Sequence, residues 1–154
     1  EMQRSLVGSE MCIRDRIHTG KIPEVFERRY VYDYTEPLDV NRMRKAAEYL
    51  CGTHDFKSFC GNKKMKKSTV RTISRIQIKE LPEEIQIYYT GNGFLQNMVR
   101  ILTGTLIEIG DGRRTPEDVS EILEAKNRER AGYTAPACGL TLLEVIYGKM
   151  VCNK

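Results

Sequence analysis

The 154-residue chain has no run approaching about 18 uninterrupted apolar residues, so no transmembrane helix is expected. Its N-terminus lacks the basic-then-apolar pattern of a signal peptide. Five cysteines (Cys12, Cys51, Cys60, Cys138, Cys152) are odd in number and scattered, and none forms a C-x-x-C pair. Only two histidines, His18 and His54, accompany them. These shortages argue against a zinc site or a disulfide framework and point to a reducing, cytoplasmic compartment. No serine–histidine–acid set has motif support, and a turn role suits Asp55 better than pairing with His54. Gly91-x-Gly93 lacks the third glycine and the lysine of nucleotide-binding loops. Internal repeats and low-complexity tracts are also missing. What remains is 40% apolar and 30% charged, enough for one core and too balanced for disorder. The length favours a single domain.

Residues 1–16 differ from the rest. They have no clear helical or strand period, and their acidic and basic charges cancel. The string Ser5-Leu-Val-Gly-Ser-Glu-Met-Cys-Ile-Arg-Asp-Arg16 resembles a translated sequencing adapter. The expectation is a non-native tail, and these residues are left out of the fold reasoning. The other reading is a genuine, poorly ordered tail.

The net charge of +4 hides a concentration: Lys57 to Lys79 hold eight basic residues and no acid. Its densest part is a Gly/Asn-led loop bearing Lys63, Lys64, Lys66 and Lys67, flanked by Lys57 and Arg71. Such a loop either stays solvated and mobile or neutralises an extended polyanion with release of counterions. Phe56 and Phe59 beside it could stack on bases, but F-x-x-F spacing more often belongs to a core.

Periodicity gives a coarse α+β order. Residues 28–34 favour a strand. Asp39 caps a helix to about Leu50 through Val40, Met43, Ala46 and Ala47, with Gly52 as its stop. Residues 70–79 and 85–89 read as a hairpin, although Ile73 is out of phase with Ile76 and Ile78. A helix from Phe94 to about Ile109 is apolar almost all round and therefore buried. Thr115, Pro116 and Asp118 signal a helix to about Lys126. Irregular chain over 131–139 leads to a final strand over 140–147.

Arg100 is the residue that this pattern does not explain. Helical phase puts it with Gln96, Asn97, Thr103 and Gly104, away from the apolar stripe. Either it reaches solvent from a thin polar side, or it lies in a cleft paired to a carboxylate or phosphate. Unpaired burial would cost several kcal/mol. Gly91-Asn92-Gly93 at the helix entry offers free N–H groups suited to an anion or nucleotide.

Five blocks then come together: Ile17-His18-Thr19-Gly20-Lys21, His54-Asp55-Phe56-Lys57-Ser58-Phe59, Ser68-Thr69-Val70-Arg71-Thr72-Ile73, Gly91-Asn92-Gly93-Phe94-Leu95-Gln96-Asn97-Met98-Val99-Arg100, and Thr134-Ala135-Pro136-Ala137 with Gly139-Leu140. In this order they resemble the bacterial tRNA pseudouridine synthase A family over residues 17–154, the Gly91–Arg100 block being the most specific. The resemblance implies a mixed or antiparallel sheet with helices packed on it. It implies isomerisation of uridine to pseudouridine in the tRNA anticodon arm, without a cofactor or metal, by a homodimer with no membrane attachment. The base must leave the stack before it can react.

By the same resemblance Arg100 pairs with a nucleophilic aspartate. Asn92, Gly93, Phe94, Asn97, Gly139 and Leu140 surround the target base, the last two as an apolar wall. Lys57, Lys63, Lys64, Lys66, Lys67 and Arg71 contact RNA. The family's aspartate motif, of the type R-T-D-x-G-V-H-A, is absent from all 154 residues. Its active-site tyrosine, expected just before Ile17, is also absent, and Arg14-Asp15-Arg16 belongs to the suspect tail. The expectation is thus the C-terminal part of a synthase, inactive alone. A stand-alone RNA-binding module is the alternative, and composition by itself also admits an oligomerising protein with a passive lysine loop.

Overall fold

In the computed structural model, which describes residues 9–146, the chain runs β1 (Glu10–His18), β2 (Tyr32–Asp33), α1 (Val40–Leu50), β3 (Gly52–Asp55), β4 (Val70–Leu81), β5 (Glu84–Gly91), α2 (Met98–Gly110), α3 (Asp118–Ala125) and β6 (Leu140–Ile146). Short 3-10 turns cover Lys57–Phe59, Arg128–Arg130 and Ala137–Gly139. The strands form one mixed sheet in the order β2-β1-β5-β4-β3. The β1–β2 pair is parallel and the other pairs are antiparallel. β5 takes one edge of β1 along Met11–His18, so β2 and β6 share the other edge, β6 beside Glu10–Asp15 and β2 beside Ile17–His18. Helices on a mixed sheet make the α+β arrangement that the element order implies.

Alternation in β5 sets the core face. Ile85, Ile87 and Tyr89 point inward, while Gln86 and Tyr88 are half-buried on the opposite face. β4 follows by way of a bulge. Its register shifts between Ile73 and Arg75, which returns Ile73 to the same buried face as Ile78. That extra residue is why Ile73 is out of phase in the sequence. Leu81 pairs with Glu84 around Pro82-Glu83, closing the expected hairpin.

α1 buries Val40, Met43, Ala46, Ala47 and Leu50, and the Asp39 carboxylate accepts from the Arg42 N–H at 3.2 Å. Cys51 caps its end in an extended conformation, and Gly52, at φ 105°, then opens β3, a strand that the sequence reading lacks. α2 is buried nearly all round, as its composition requires. It begins four residues later than expected because Asn97 is left-handed (φ 58°), so Phe94–Gln96 are irregular. α3 begins at Asp118, whose carboxylate accepts from the Thr115 N–H at 2.8 Å.

One further expectation needs correction, and a segment left out of the fold reasoning has a place in the sheet. Only Tyr32–Asp33 of the expected strand over 28–34 joins the sheet: Tyr30 N–H closes a turn on Glu27 O at 2.7 Å, and Arg28 and Arg29 are exposed. Residues 10–16, set aside as a tail, lie in the middle of the sheet as most of β1, with Ile17 fully buried at its end. Tyr147, at the end of the expected last strand, lies outside the described residues.

The polar side of α2 is not open to water. The segment 131–135 crosses it: Ala135 N–H donates to Arg100 O (3.0 Å) and Gly132 N–H to Thr105 Oγ1 (2.9 Å). A Cβ on Gly104 would lie 1.8 Å from Tyr133 O, so only glycine admits this crossing. Gly104→Ala should therefore lower unfolding free energy by about 1–3 kcal/mol or more, read from urea melts, as the backbone is pushed off the helix. An unchanged midpoint would mean that the crossing contributes little.

Candidate functional site

Arg100 sits in the first turn of α2, half-buried beneath the 131–135 segment. Its Nε donates to Ala135 O at 2.8 Å and its Nη1 to Asn97 Oδ1 at 3.1 Å. The guanidinium is thus oriented by backbone and by the residue whose left-handed turn starts the helix. It does not simply reach solvent from a polar helix side. Fixed planar donors of this kind suit a carboxylate or phosphate.

The Arg100 charge acts weakly on one carboxylate of β1, that of Asp15. It is 1% exposed, and neither side-chain oxygen has a hydrogen-bond partner. Its register partner on β5 is Ile87, and Ile13 and Ile17 flank it on the same face, so it interrupts an apolar row. Burial pushes its carboxyl up to about 6, against smaller opposing effects from Thr103, the Arg16 backbone and the Arg100 charge. The Thr103 hydroxyl is itself engaged with Tyr89 Oη at 2.8 Å. Tyr89 is fully buried, and its phenol is held well above its ordinary value, chiefly by that burial.

Gly139 and Leu140 close on the same point. Leu140 faces Asp15 across the β1–β6 pair, and a Cβ on Gly139 would meet Arg16 O at 2.3 Å and Asp15 Oδ1 at 2.7 Å. Gly139 and Leu140 thus return on β1 at Asp15 and Arg16, while Arg100 is held with Asn97 and Ala135. Asn92 and Gly93 form a second group. Asn92 Oδ1 accepts from Thr72 N–H at 2.9 Å and its own N–H donates to Thr72 O at 3.0 Å. Gly93 lies against the Arg71 side chain, and Phe94 against Gly91.

Of the basic residues, Lys57 lies in the 3-10 turn, and Lys63, Lys64, Lys66 and Lys67 are exposed on the loop before β4. Arg71 Nη1 is committed to Ser68 O and Val70 O, both at 2.8 Å. Gly61 N–H donates to Gln96 O at 2.8 Å, tying the lysine loop to the segment that carries Asn97 and Arg100. Phe56 and Phe59 are fully buried edge to face, so they belong to the core and cannot stack on bases. Asp55 takes the turn role: its Oδ1 accepts from Lys57 N–H at 3.1 Å. His54 Nε2 is bonded to Cys51 O at 2.9 Å, remote from any chemistry.

Two placements escaped sequence reasoning. Asp15 was hidden by setting residues 1–16 aside, although the spacing Ile13-x-Asp15-x-Ile17 marks a carboxylate in an apolar register. Lys126 and Arg128 were hidden because about 60 residues of chain separate them from the lysine loop they approach. Among the described residues no cluster of His, Cys, Asp and Glu could hold a metal ion, and no helix is long and apolar enough to cross a membrane.

A sequence profile described as tRNA pseudouridine synthase matches residues 46–148. Among curated proteins, the chain is 50% identical over 134 residues to tRNA pseudouridine synthase A 1 of Bacillus cereus, covering 87% of this chain and 54% of that protein. It is 48% identical over 131 residues to tRNA pseudouridine synthase A of Bacillus subtilis, with 85% and 53% covered. For the Brevibacillus brevis protein of the same name the identity is 47% over 131 residues, with 85% and 54% covered. The chain spans about half the length of these relatives.

The Asp15 environment gives a signed pH dependence. Its folded-state pKa, about 6, lies above the ordinary 3.8, so the folded chain holds this proton more tightly than the unfolded chain. The associated stability is present below the ordinary value and is lost as pH rises through about 6, roughly 3 kcal/mol in all. Asp15→Asn removes that loss. Measured against the parent, its stability should improve by about 2–3 kcal/mol between about pH 4 and about pH 7.5. Parallel stability curves for the two proteins would show that Asp15 is not perturbed.

Proposed function

Because the chain belongs to the tRNA pseudouridine synthase family, we propose that residues 17–154 form the C-terminal, arginine-bearing part of an enzyme that isomerises uridine to pseudouridine in the tRNA anticodon arm. The observation that carries this reading is the held guanidinium of Arg100, a fixed cation oriented by Ala135 O and Asn97. Asn97 orients the cation, Leu140 packs beside the detached base, and Asn92, Gly93 and Phe94 shape the approach from the β5 side. Lys57, Lys63, Lys64, Lys66, Lys67 and Arg71 contact the tRNA backbone. Exchange of a nitrogen–carbon for a carbon–carbon glycosidic bond balances in atoms and electrons, so the reaction calls for no cofactor. The intact enzyme acts as a cytoplasmic homodimer.

The nucleophilic aspartate comes from outside this chain. Asp15 does not replace it, since both its oxygens are enclosed and cannot reach a sugar. Residues 1–16 stand where a native segment belongs. In support, the buried side-chain polar atoms left without a partner among the described residues are Arg14 Nε and the two Asp15 oxygens, all within that stretch. Sequencing the locus through Ile17 on long reads should give a different upstream frame containing an R-T-D-type motif.

A second reading, an RNA-binding module without chemistry, draws on the lysine loop. Residues 17–154 joined behind the leading half of the Bacillus subtilis relative separate the two. With tRNA carrying tritium at uridine C5, the fusion should release the label as the new carbon–carbon bond forms, and the 154-residue chain should release none. Arg100→Ala in the fusion should lower kcat/KM by about 100- to 1000-fold, as expected for removing one partner of a buried ion pair. Turnover by the chain alone, or a fully active Arg100→Ala fusion, would overturn the assignment.

A further inference from the structure

The lysine loop is not an isolated basic projection. Ser58 is fully buried in the 3-10 turn, where its Oγ donates to Ile122 O (2.6 Å) and accepts from Asn127 N–H (2.9 Å). This one hydroxyl fixes the C-terminal end of α3 against the turn that begins the basic segment. Two cavities open along the join, of about 180 and 420 Å³, and share Lys57, Asn62, Lys63 and Lys126. The smaller also reaches Asn127 and Arg128, the larger Lys67.

The lining is rich in donors and poor in acceptors. Asn62 Oδ1 accepts from Lys64 N–H and Asn127 Oδ1 from Glu129 N–H, each at 3.0 Å, which leaves both amide NH2 groups to donate. The one lining carboxylate, Asp55, already accepts from Lys57 N–H and the Thr69 hydroxyl through Oδ1. Its other oxygen is 3.8 Å from Lys126 Nζ, and Lys63 Nζ is 3.9 Å from Glu129 on the rim. Contacts that long between exposed groups are weak and are given up at little cost. Lys126 is moreover held at φ 48°, a helix-terminal position where glycine or asparagine is the usual occupant. A lysine kept there sacrifices backbone ease for an ammonium in the groove.

We propose that this groove, between the lysine loop and the end of α3, seats successive phosphates of an RNA backbone, with Lys57, Lys63, Lys126 and Arg128 as the cations and Asn62 and Asn127 as neutral donors. The proposal rests on the RNA-binding reading above and deepens it. The seat depends on residues far apart in sequence, and Lys64 and Lys66 at the loop tip do not line it. Because Gly61 N–H holds the loop to Gln96 O, a strand in the groove is led towards Arg100. Arg128 also serves the fold, donating to Gly132 O and Thr134 Oγ1, so the test spares it.

Binding of unmodified tRNA to the full chain, titrated over a range of salt, tests the seat. The paired substitution Lys57→Ala with Lys126→Gly should weaken affinity about 10-fold or more near physiological salt and lower the slope of log affinity against log salt by about 1.4–1.8. A control pair that removes the same charge outside the groove, Lys45→Ala with Lys79→Ala, should change affinity less than about two-fold, since unseated charges act only through the screened long-range field. Lys126→Gly alone should raise Tm by a few degrees while weakening binding, opposite signs that a damaged fold cannot produce. If the parent binds with a steep salt slope and the groove pair loses no more than the control pair, the seat is overturned and the RNA-binding reading stands. If the parent does not bind tRNA at any salt, both fall.

Discussion

The crossing of the 131–135 segment over Gly104 is the contact on which the site depends. It converts the one polar side of α2 into buried surface, supplies Ala135 O to Arg100 Nε, and sets the path that returns Gly139 and Leu140 to the end of β1. Gly132 repeats the tolerance one step away, since a Cβ there would lie 2.7 Å from the Thr105 Cα. Two small residues on facing backbones thus hold an arginine in place without an ion pair of their own. The consequence is orientation: a side chain with many rotamers becomes a fixed donor array.

Charge is organised on the same economy. Arg114 with Glu108 and Arg113 with Asp111 brace the end of α2, and Arg16 of β1 joins Glu27 and Glu84, whereas Arg100 is held by a backbone carbonyl and an amide. The lysine side keeps its cations at the rim of a groove, held by backbone contacts made elsewhere. The lysine loop is tied to the segment that carries Arg100 where Gly61 N–H meets Gln96 O.

The sequence was most readable where local rules act alone. The apolar face of α1 and its Asp39 cap were correct to the residue, and the β4–β5 hairpin was recovered with its odd Ile73. It was least readable where a backbone conformation or a distant partner decides. Asparagine tolerates the left-handed conformation, but tertiary context decides that Asn97 adopts it and delays α2, and that a bulge at Ser74 rephases β4. The apolar Tyr-Val-Tyr run near residue 31 suggested a strand, yet the turn at Tyr30 leaves only a two-residue parallel pair. Arg100 was legible as an anomaly and through family resemblance. What holds it was not, because the Ala135 carbonyl that accepts from it comes from a segment 35 residues further along the chain.

The separation of β1 and β6 along the chain bears on the cost of closing the sheet. β4 and β5 close across a two-residue turn, whereas β6 pairs with β1 only after well over a hundred residues have been threaded between them. Closing the longer loop costs roughly 3–4 kcal/mol more entropy, since each doubling of length adds about 0.6 kcal/mol. Topology thus makes the hairpin the cheaper pairing to form and the β1–β6 pairing the costlier one. Leu140 reaches its place opposite Asp15 only once that long loop has closed.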